Sequence, residues 1–284
     1  MRNPLKRAST RIVAGGTPLA SQRVVPEEVP VALVYDGSTH AVMMATPSDL
    51  EDFALGFSIS EGKVDSADEI AAFEIVEQAQ GIELRMWLTA HAGHRIAARR
   101  RALLGPTGCG ICGVESLDAA LPALPEVVAK RSFTAAEITS AVAGIAHAQT
   151  FNREARAMHA AAFWQPGKTA LIAREDVGRH NALDKLVGAL TRESVDPAAG
   201  VVVLTSRVSV EMVQKAAVLG APVIAAVSAP TALAIRTADA CGITLAAIAR
   251  GDSFEIFSHP HRIVTLTAGE HTAAEPVDVQ HAIH

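Results

Sequence analysis

Of the 284 residues, 49% are hydrophobic and 19% charged, enough apolar material for one large or two modest buried cores. A net charge of −5 excludes the strongly basic balance of a nucleic-acid binder, and a total of three cysteines excludes a secreted disulfide framework. No apolar run follows the basic start Met1 to Arg7, so no signal peptide is read, and the most apolar window, Ala216 to Ile235, is broken by Pro222 and Pro230. The chain therefore reads as cytosolic, with reduced thiols and with neither a nucleic-acid nor a membrane partner.

Residues 1–22 read as a loose tail. Val29 to Tyr35 and His40 to Ala45 read as strands around the turn Asp36-Gly37-Ser38. A helix then starts at Thr46-Pro47-Ser48-Asp49, with Thr46 or Ser48 as its cap and Leu50, Phe53, Ala54 and Phe57 on one face, and it ends at Gly62. Phe73 to Glu77 and Glu83 to Leu88 form a second strand pair. Residues 23–104 are thus a small α+β module.

Residues 105–130 hold a loop and a linker. The run Gly105 to Gly113 contains four glycines and a proline, which suit neither a helix nor a strand, and it carries Cys109 and Cys112. Beyond it, Ala135 to Ala148 reads as a helix and Met158 to Trp164 as a buried helix. Strand and helix then alternate: Thr169 to Arg174, Arg179 to Thr191, Val201 to Thr205, Val208 to Leu219, Val223 to Ser228, Ala232 to Ala240, Ile243 to Ala249 and Phe254 to Ser258. That order predicts an α/β domain over 131–266 with a mostly parallel sheet, followed by a tail over 267–284.

Two thiols on one loop, eight to eleven residues beyond Arg101, point to cysteine chemistry. Nearby cations lower a thiol pKa, and an exposed thiolate can attack a sulfane sulfur and keep it as a persulfide. A zinc site lacks a second Cys pair, with only His91 and His94 near, and the flanking glycines speak against a thioredoxin-like helix start. Deaminase chemistry is excluded because His159-Ala160-Ala161 lacks the required glutamate.

The second cluster lies where strands end. Asp176, Arg179, His180 and Asn181 follow one strand, Ser206 and Arg207 a second, Ser228 and Thr231 a third, and Arg250 to Ser253 a fourth. Strand ends in α/β sheets are where ligands bind, and the repetition favours a nucleotide. The plainer alternative makes Asp176 a cap, Asp184 and Lys185 solvated residues and His180 a surface residue. His159 is read either as a hydrogen-bonded core residue or as a cofactor contact. Cys241 reads as a packed small hydrophobe.

These residues together resemble the FdhD family of sulfur carriers required for formate dehydrogenase activity. The resemblance covers about residues 27–264. It rests on Glu28 to Val34, Thr46 to Leu50, Glu61-Gly62, Gly108 to Gly113, the run Glu175-Asp176-Val177-Gly178-Arg179-His180-Asn181-Ala182-Leu183-Asp184-Lys185, Ser206-Arg207, Met212 to Lys215, Ser228 to Thr231 and His259-Pro260.

What the resemblance implies is a sulfurtransferase of carrier type. A cysteine desulfurase would load Cys109 as a persulfide, with Cys112 assisting transfer or release. The acceptor would be a molybdenum (or tungsten) bis(guanine dinucleotide) cofactor, bound as cargo on its way to formate dehydrogenase. The C-terminal domain would be cytidine deaminase-like without a protein-bound metal, the assembly a homodimer, and the stretch Ile248, Ala249, Arg250, Gly251, Asp252 and Ser253 part of the cofactor site. Two departures stand out. Ala155 and Arg156 replace a Thr-Gly or Thr-Arg pair, and Asp252 and Ser253 stand where some relatives have a second cation. The rival readings are a chaperone that only holds the cofactor and a thiol-disulfide oxidoreductase.

Overall fold

The computed structural model describes residues 2–94 and 122–265. Cys109, Cys112 and the preceding arginines therefore lie outside the described residues, as does the expected C-terminal tail. The strands are β1 (Leu5–Ala14), β2 (Thr17–Pro26), β3 (Val29–Tyr35), β4 (Ser38–Ala45), β5 (Ile70–Glu77), β6 (Ile82–Leu88), β7 (Phe133–Thr134), β8 (His159–Trp164), β9 (Ile172–Asp176), β10 (Val201–Leu204), β11 (Val223–Ala226), β12 (Thr244–Arg250), β13 (Ser253–Ser258) and β14 (Ile263–Val264). The helices are α1 (Leu50–Ser60), α2 (Ala135–Ala148), α3 (Asn152–Ala155), α4 (Arg179–Arg192), α5 (Val210–Leu219) and α6 (Ala232–Ala240).

The N-terminal module is a four-stranded sheet in the order β4-β3-β6-β5 with α1 across one face. Val29, Val31, Leu33 and Tyr35 alternate onto the covered face and meet Leu50, Phe53 and Phe57 of α1. The cap expectation for this helix fails. Asp49 occupies the N-cap position in a left-handed conformation with no side-chain cap bond, the Thr46 hydroxyl accepts from the Val177 amide instead, and Ser48 Oγ makes no hydrogen bond among the described residues.

The C-terminal domain is a six-stranded sheet in the order β13-β12-β11-β10-β8-β9, covered on both faces. Val202, Leu204, Ile224, Ala226 and Leu245 face α4, α5 and α6, while Val201, Val203, Val223 and Ala225 face Ile138, Ala141 and Ile145 of α2. A reciprocal capping box between Thr134 and Glu137 starts α2.

Three expectations are corrected. The stretch expected as a buried helix over 158–164 is instead the strand β8 from His159 to Trp164: β9 and β10 flank the alanine-rich run on both sides, and sheet pairing overrides alanine's helical preference. The sheet is mixed rather than mostly parallel: β9, β10, β11 and β12 point one way, but β8 lies between β9 and β10 and runs against both, and β13 runs against β12, so only two of the five strand pairings are parallel. The loose tail is a hairpin, β1 paired with β2 over ten positions around Gly15-Gly16. Its exposed apolar residues carry no core period, so pairing alone defines it.

Candidate functional site

Sheet register brings the predicted strand-end residues to one edge. Parallel β10, β11 and β12 deliver Ser206-Arg207, Ser228-Thr231 and Ile248-Ser253 on the same side. Antiparallel β8 begins there with His159, whose register partner is Asp176 at the end of β9, and α4 then opens with Arg179 and His180.

Backbone hydrogen bonds zip these loops together. The Val208 amide donates to the Ala229 carbonyl (3.2 Å) and the Thr231 amide to the Val208 carbonyl (2.9 Å). The Ile248 amide donates to the Ser228 carbonyl at 3.3 Å. Thr205 closes the far side, its hydroxyl accepting from the Ala160 amide at 2.9 Å. The Thr231 hydroxyl is committed to capping α6 through the Ala234 amide, so only its backbone and methyl face the edge chemistry. Ile248 has φ 55°, an unfavourable conformation for a β-branched residue, at a register break that re-aims β12 into the turn Arg250 to Ser253. The Ser253 hydroxyl there donates to the Arg250 carbonyl, and Arg250, Gly251 and Asp252 are exposed.

Electrostatics single out Arg179, His180 and His159. Burial depresses the pKa of both imidazoles, the charge of Arg179 lowers each further, and Asp176 (for His159) and Glu211 (for His180) only partly oppose the shift. His180 Nε2 stands 3.9 Å from the Glu211 carboxylate, too far for a hydrogen bond. His180 Nε2 and Arg179 Nε are both shut off from solvent with no partner among the described residues. Unpaired buried polar atoms of this kind are expensive in a structure that serves only itself. His159 is half-buried, which sets aside its reading as a fully enclosed core residue.

Asp176 is different, and its place in a ligand site is corrected. Its carboxylate is completely buried and accepts from Lys185 Nζ (2.7 Å), the Thr46 amide (2.9 Å), the Gly178 amide (2.8 Å) and Asn181 Nδ2 (3.0 Å). Nor are Asp184 and Lys185 solvated: their side chains are 1% and 0% exposed. Lys215 Nζ reaches Asp184 (2.8 Å), Glu61 (2.8 Å) and Ser60 (2.9 Å). Burial alone would lower the Lys215 pKa, but Asp184 and Glu61 outweigh it and hold the ammonium above its usual range; Lys215 in turn pulls Glu61 down. The Asp52 carboxylate accepts from Arg174 and Arg192, each at 2.7 Å.

The Asp52–Arg192 ion pair bridges the seam between α1 and α4 directly, the Asp52–Arg174 and Lys215–Glu61 pairs tie α1 to β9 and α5 beside them, and the Asp176–Lys185 and Asp184–Lys215 pairs brace α4 from its own domain. Helices α1 and α4 approach so closely that a Cβ on Gly56 would sit 1.7 Å from the Asp184 carbonyl oxygen, and one on Gly188 would sit 1.9 Å from that of Asp52. Sequence reasoning missed this seam. Its signal was present: Asp184, Lys185 and Gly188 interrupt the apolar run Ala182 to Leu190 of one helix.

A model described as the FdhD/NarQ family matches residues 26–264, spanning both modules and the cysteine run between them. The chain belongs to the FdhD/NarQ family. A protein of Agrobacterium fabrum named "Sulfur carrier protein FdhD" is 52% identical over 260 residues, covering 91% of this chain and 96% of that one. A protein of the same name from Brucella abortus is 52% identical over 245 residues, covering 86% and 91%. The crystal structure of a candidate formate dehydrogenase accessory protein from Desulfotalea psychrophila superposes with a TM-score of 0.71 at 25% identity, covering 92% of this chain and 100% of that one. No helix among the described residues is long and apolar enough to cross a membrane.

Proposed function

We propose that this FdhD/NarQ member is a cytosolic sulfur carrier for formate dehydrogenase maturation. The Cys109 thiolate attacks the terminal sulfur of a cysteine desulfurase persulfide. The desulfurase thiolate leaves and the sulfane sulfur stays on Cys109. Cys112 then assists its release to the molybdenum bis(guanine dinucleotide) cofactor held as cargo, with two copies of the chain forming the working unit.

The observation that carries this reading is the match to relatives named sulfur carriers across both modules and the Gly108 to Gly113 run. Burial of the third thiol supports it. Cys241 is 4% exposed in the core under α6 and burial pushes its thiol pKa up, so any loaded sulfur falls to Cys109 or Cys112. For the cargo site, the strand-end edge favours the guanine nucleotide half. Arg179, His180 and His159 supply donors for a diphosphate, and the turn Ile248 to Ser253 supplies an exposed backbone and Arg250. The sheet, with antiparallel β8 and β9 followed by parallel β10 to β12, supports a deaminase-like ancestry for the domain.

Intact-mass analysis after incubation with a desulfurase and cysteine tests the assignment. One added sulfur is expected on the wild type and on Cys241→Ser, removable by reductant, and none on Cys109→Ala. Undiminished loading of Cys109→Ala, or no loading of any form, would overturn it. A chaperone alone predicts the latter result with cofactor binding intact, and an oxidoreductase predicts a Cys109–Cys112 disulfide that reduces unrelated substrates.

A further inference from the structure

The hairpin β1–β2 lies almost wholly outside the segment shared with the family model, which begins at residue 26. It is rooted in the body by the Glu27 amide donating to the Pro4 carbonyl (2.8 Å), by Arg2 donating to the Gln78 carbonyl (2.6 Å) and by the Lys6–Glu27 ion pair (3.6 Å). Ten residue pairs follow, about 30 Å at strand spacing: the shaft packs β2 against α3 and keeps Ala8, Thr10 and Ser21 half-buried, and the end beyond them stands free. Every residue from Arg11 to Ala20 is exposed. Gly15 and Gly16, with φ 58° and 85°, close the turn in the left-handed conformations that a tight hairpin needs.

Charge and apolarity on this arm are segregated along its length. Residues 2–26 contain Arg2, Lys6, Arg7, Arg11 and Arg23 and no acidic residue, leaving 20 basic against 30 acidic residues in the rest of the chain. The distal end carries Ile12, Val13 and Leu19, exposed at 56%, 67% and 58%. Register places Ile12 beside Leu19 on one face and Val13 beside Pro18 on the other. The cations divide the same way: Lys6 and Arg23 share the first face, Arg7 and Arg11 the second. Among the described residues no ion pair engages Arg7, Arg11 or Arg23.

A strand arm that docks on a protein surface needs one apolar face and leaves the other to water. This arm has an apolar tip and a basic shaft on both faces, which suits a medium that surrounds the tip: the headgroup boundary of an anionic bilayer, with acyl chains around Ile12, Val13 and Leu19 and phosphates around the arginines. We infer that the β1–β2 hairpin is a peripheral membrane arm that seats its tip in an anionic phospholipid surface. An interfacial contact of this kind needs no spanning segment, so the absence of a long apolar helix among the described residues does not oppose it.

Flotation of the full chain with vesicles tests this. Vesicles of phosphatidylcholine alone are compared with vesicles containing about one third phosphatidylglycerol. Wild type is expected to float with the anionic vesicles only and to be released by salt. Reversing Arg7, Arg11 and Arg23 to Glu is expected to weaken partitioning by about fivefold or more per site, and Ile12→Ser with Leu19→Ser to weaken it at unchanged charge. Unchanged circular dichroism and sulfur loading of both variants show that the body is intact. Equal wild-type recovery with both vesicle types, no flotation, or no effect of the variants overturns the inference. So does a variant that loses self-association in sedimentation analysis without vesicles, since the arm would then serve a second copy.

Discussion

The seam between α1 and α4 and the edge where the sheet strands end draw on the same eleven residues, Glu175 to Lys185, and treat them in opposite ways. At the seam every charge is answered: Asp176 by Lys185, Thr46, Gly178 and Asn181, and Asp184 by Lys215 and Ser60. At the edge, three and four residues past Asp176, Arg179 Nε and His180 Nε2 have no hydrogen-bond partner among the described residues. Polar residues that hold a protein together can be saturated by it. Residues that hold a ligand are left with unused donors. A single motif can thus be charged for two unrelated reasons, and only its hydrogen bonds separate them.

The hardest way to break that contrast is to attack the seam. Lys185→Met leaves the Asp176 carboxylate buried beside an apolar chain, and about 3–5 kcal/mol of stability should be lost. Denaturant unfolding reads this directly. Gly188→Ala should also destabilise, by about 1–3 kcal/mol or more, because the new methyl meets the Asp52 carbonyl. Wild-type midpoints for both variants would show that the seam does not govern stability.

An edge substitution should do the reverse. Arg179→Ala is expected to leave the unfolding midpoint nearly unchanged, since no internal bond of its Nε is lost. Affinity for guanosine diphosphate, measured by calorimetry, should fall about 10- to 100-fold, the worth of one charge-assisted hydrogen bond at about 1.5–3 kcal/mol. A variant that unfolds early yet binds normally would place Arg179 with the seam instead.

The smallest effect is in pH. His159 and His180 are held below their ordinary value of 6.5, so the folded chain binds fewer protons than the unfolded one just below that pH. Their contribution to stability is complete above pH 6.5 and is lost as pH falls through the depressed folded values. A bound diphosphate favours the imidazolium form and should raise both values, so binding should take up protons and tighten on acidification. Imidazole NMR titrations with and without the nucleotide check this; values unmoved by the ligand would exclude the two rings from its site.

Much of this molecule was legible before any coordinates. Hydrophobic period and turn residues placed β3, α1, α2, α4 and α6 within a residue or two, because local sequence carries the signature of a single buried face. The strand-end residues were legible as a set, since alternation of strand and helix already puts loop residues at one edge. β8 was not, because an alanine run fits either geometry and only its neighbours choose. The hairpin β1–β2 was missed because beyond its root it half-buries only small residues, Ala8, Thr10 and Ser21, and so leaves no apolar period to read.

Sequence by itself determined the family, the two-module order and the pair Cys109 and Cys112 on which the proposed chemistry rests, since motifs and local periodicity need no third dimension. Tertiary structure alone decided which charges are structural and which are free to meet a ligand. Asp176, Arg179, His180 and Asp184 look alike as letters. Burial and the partners brought from residues more than one hundred positions away, Thr46 and Ser60, give two of them to the fold and leave the other two with unsatisfied polar atoms, available to the proposed ligand.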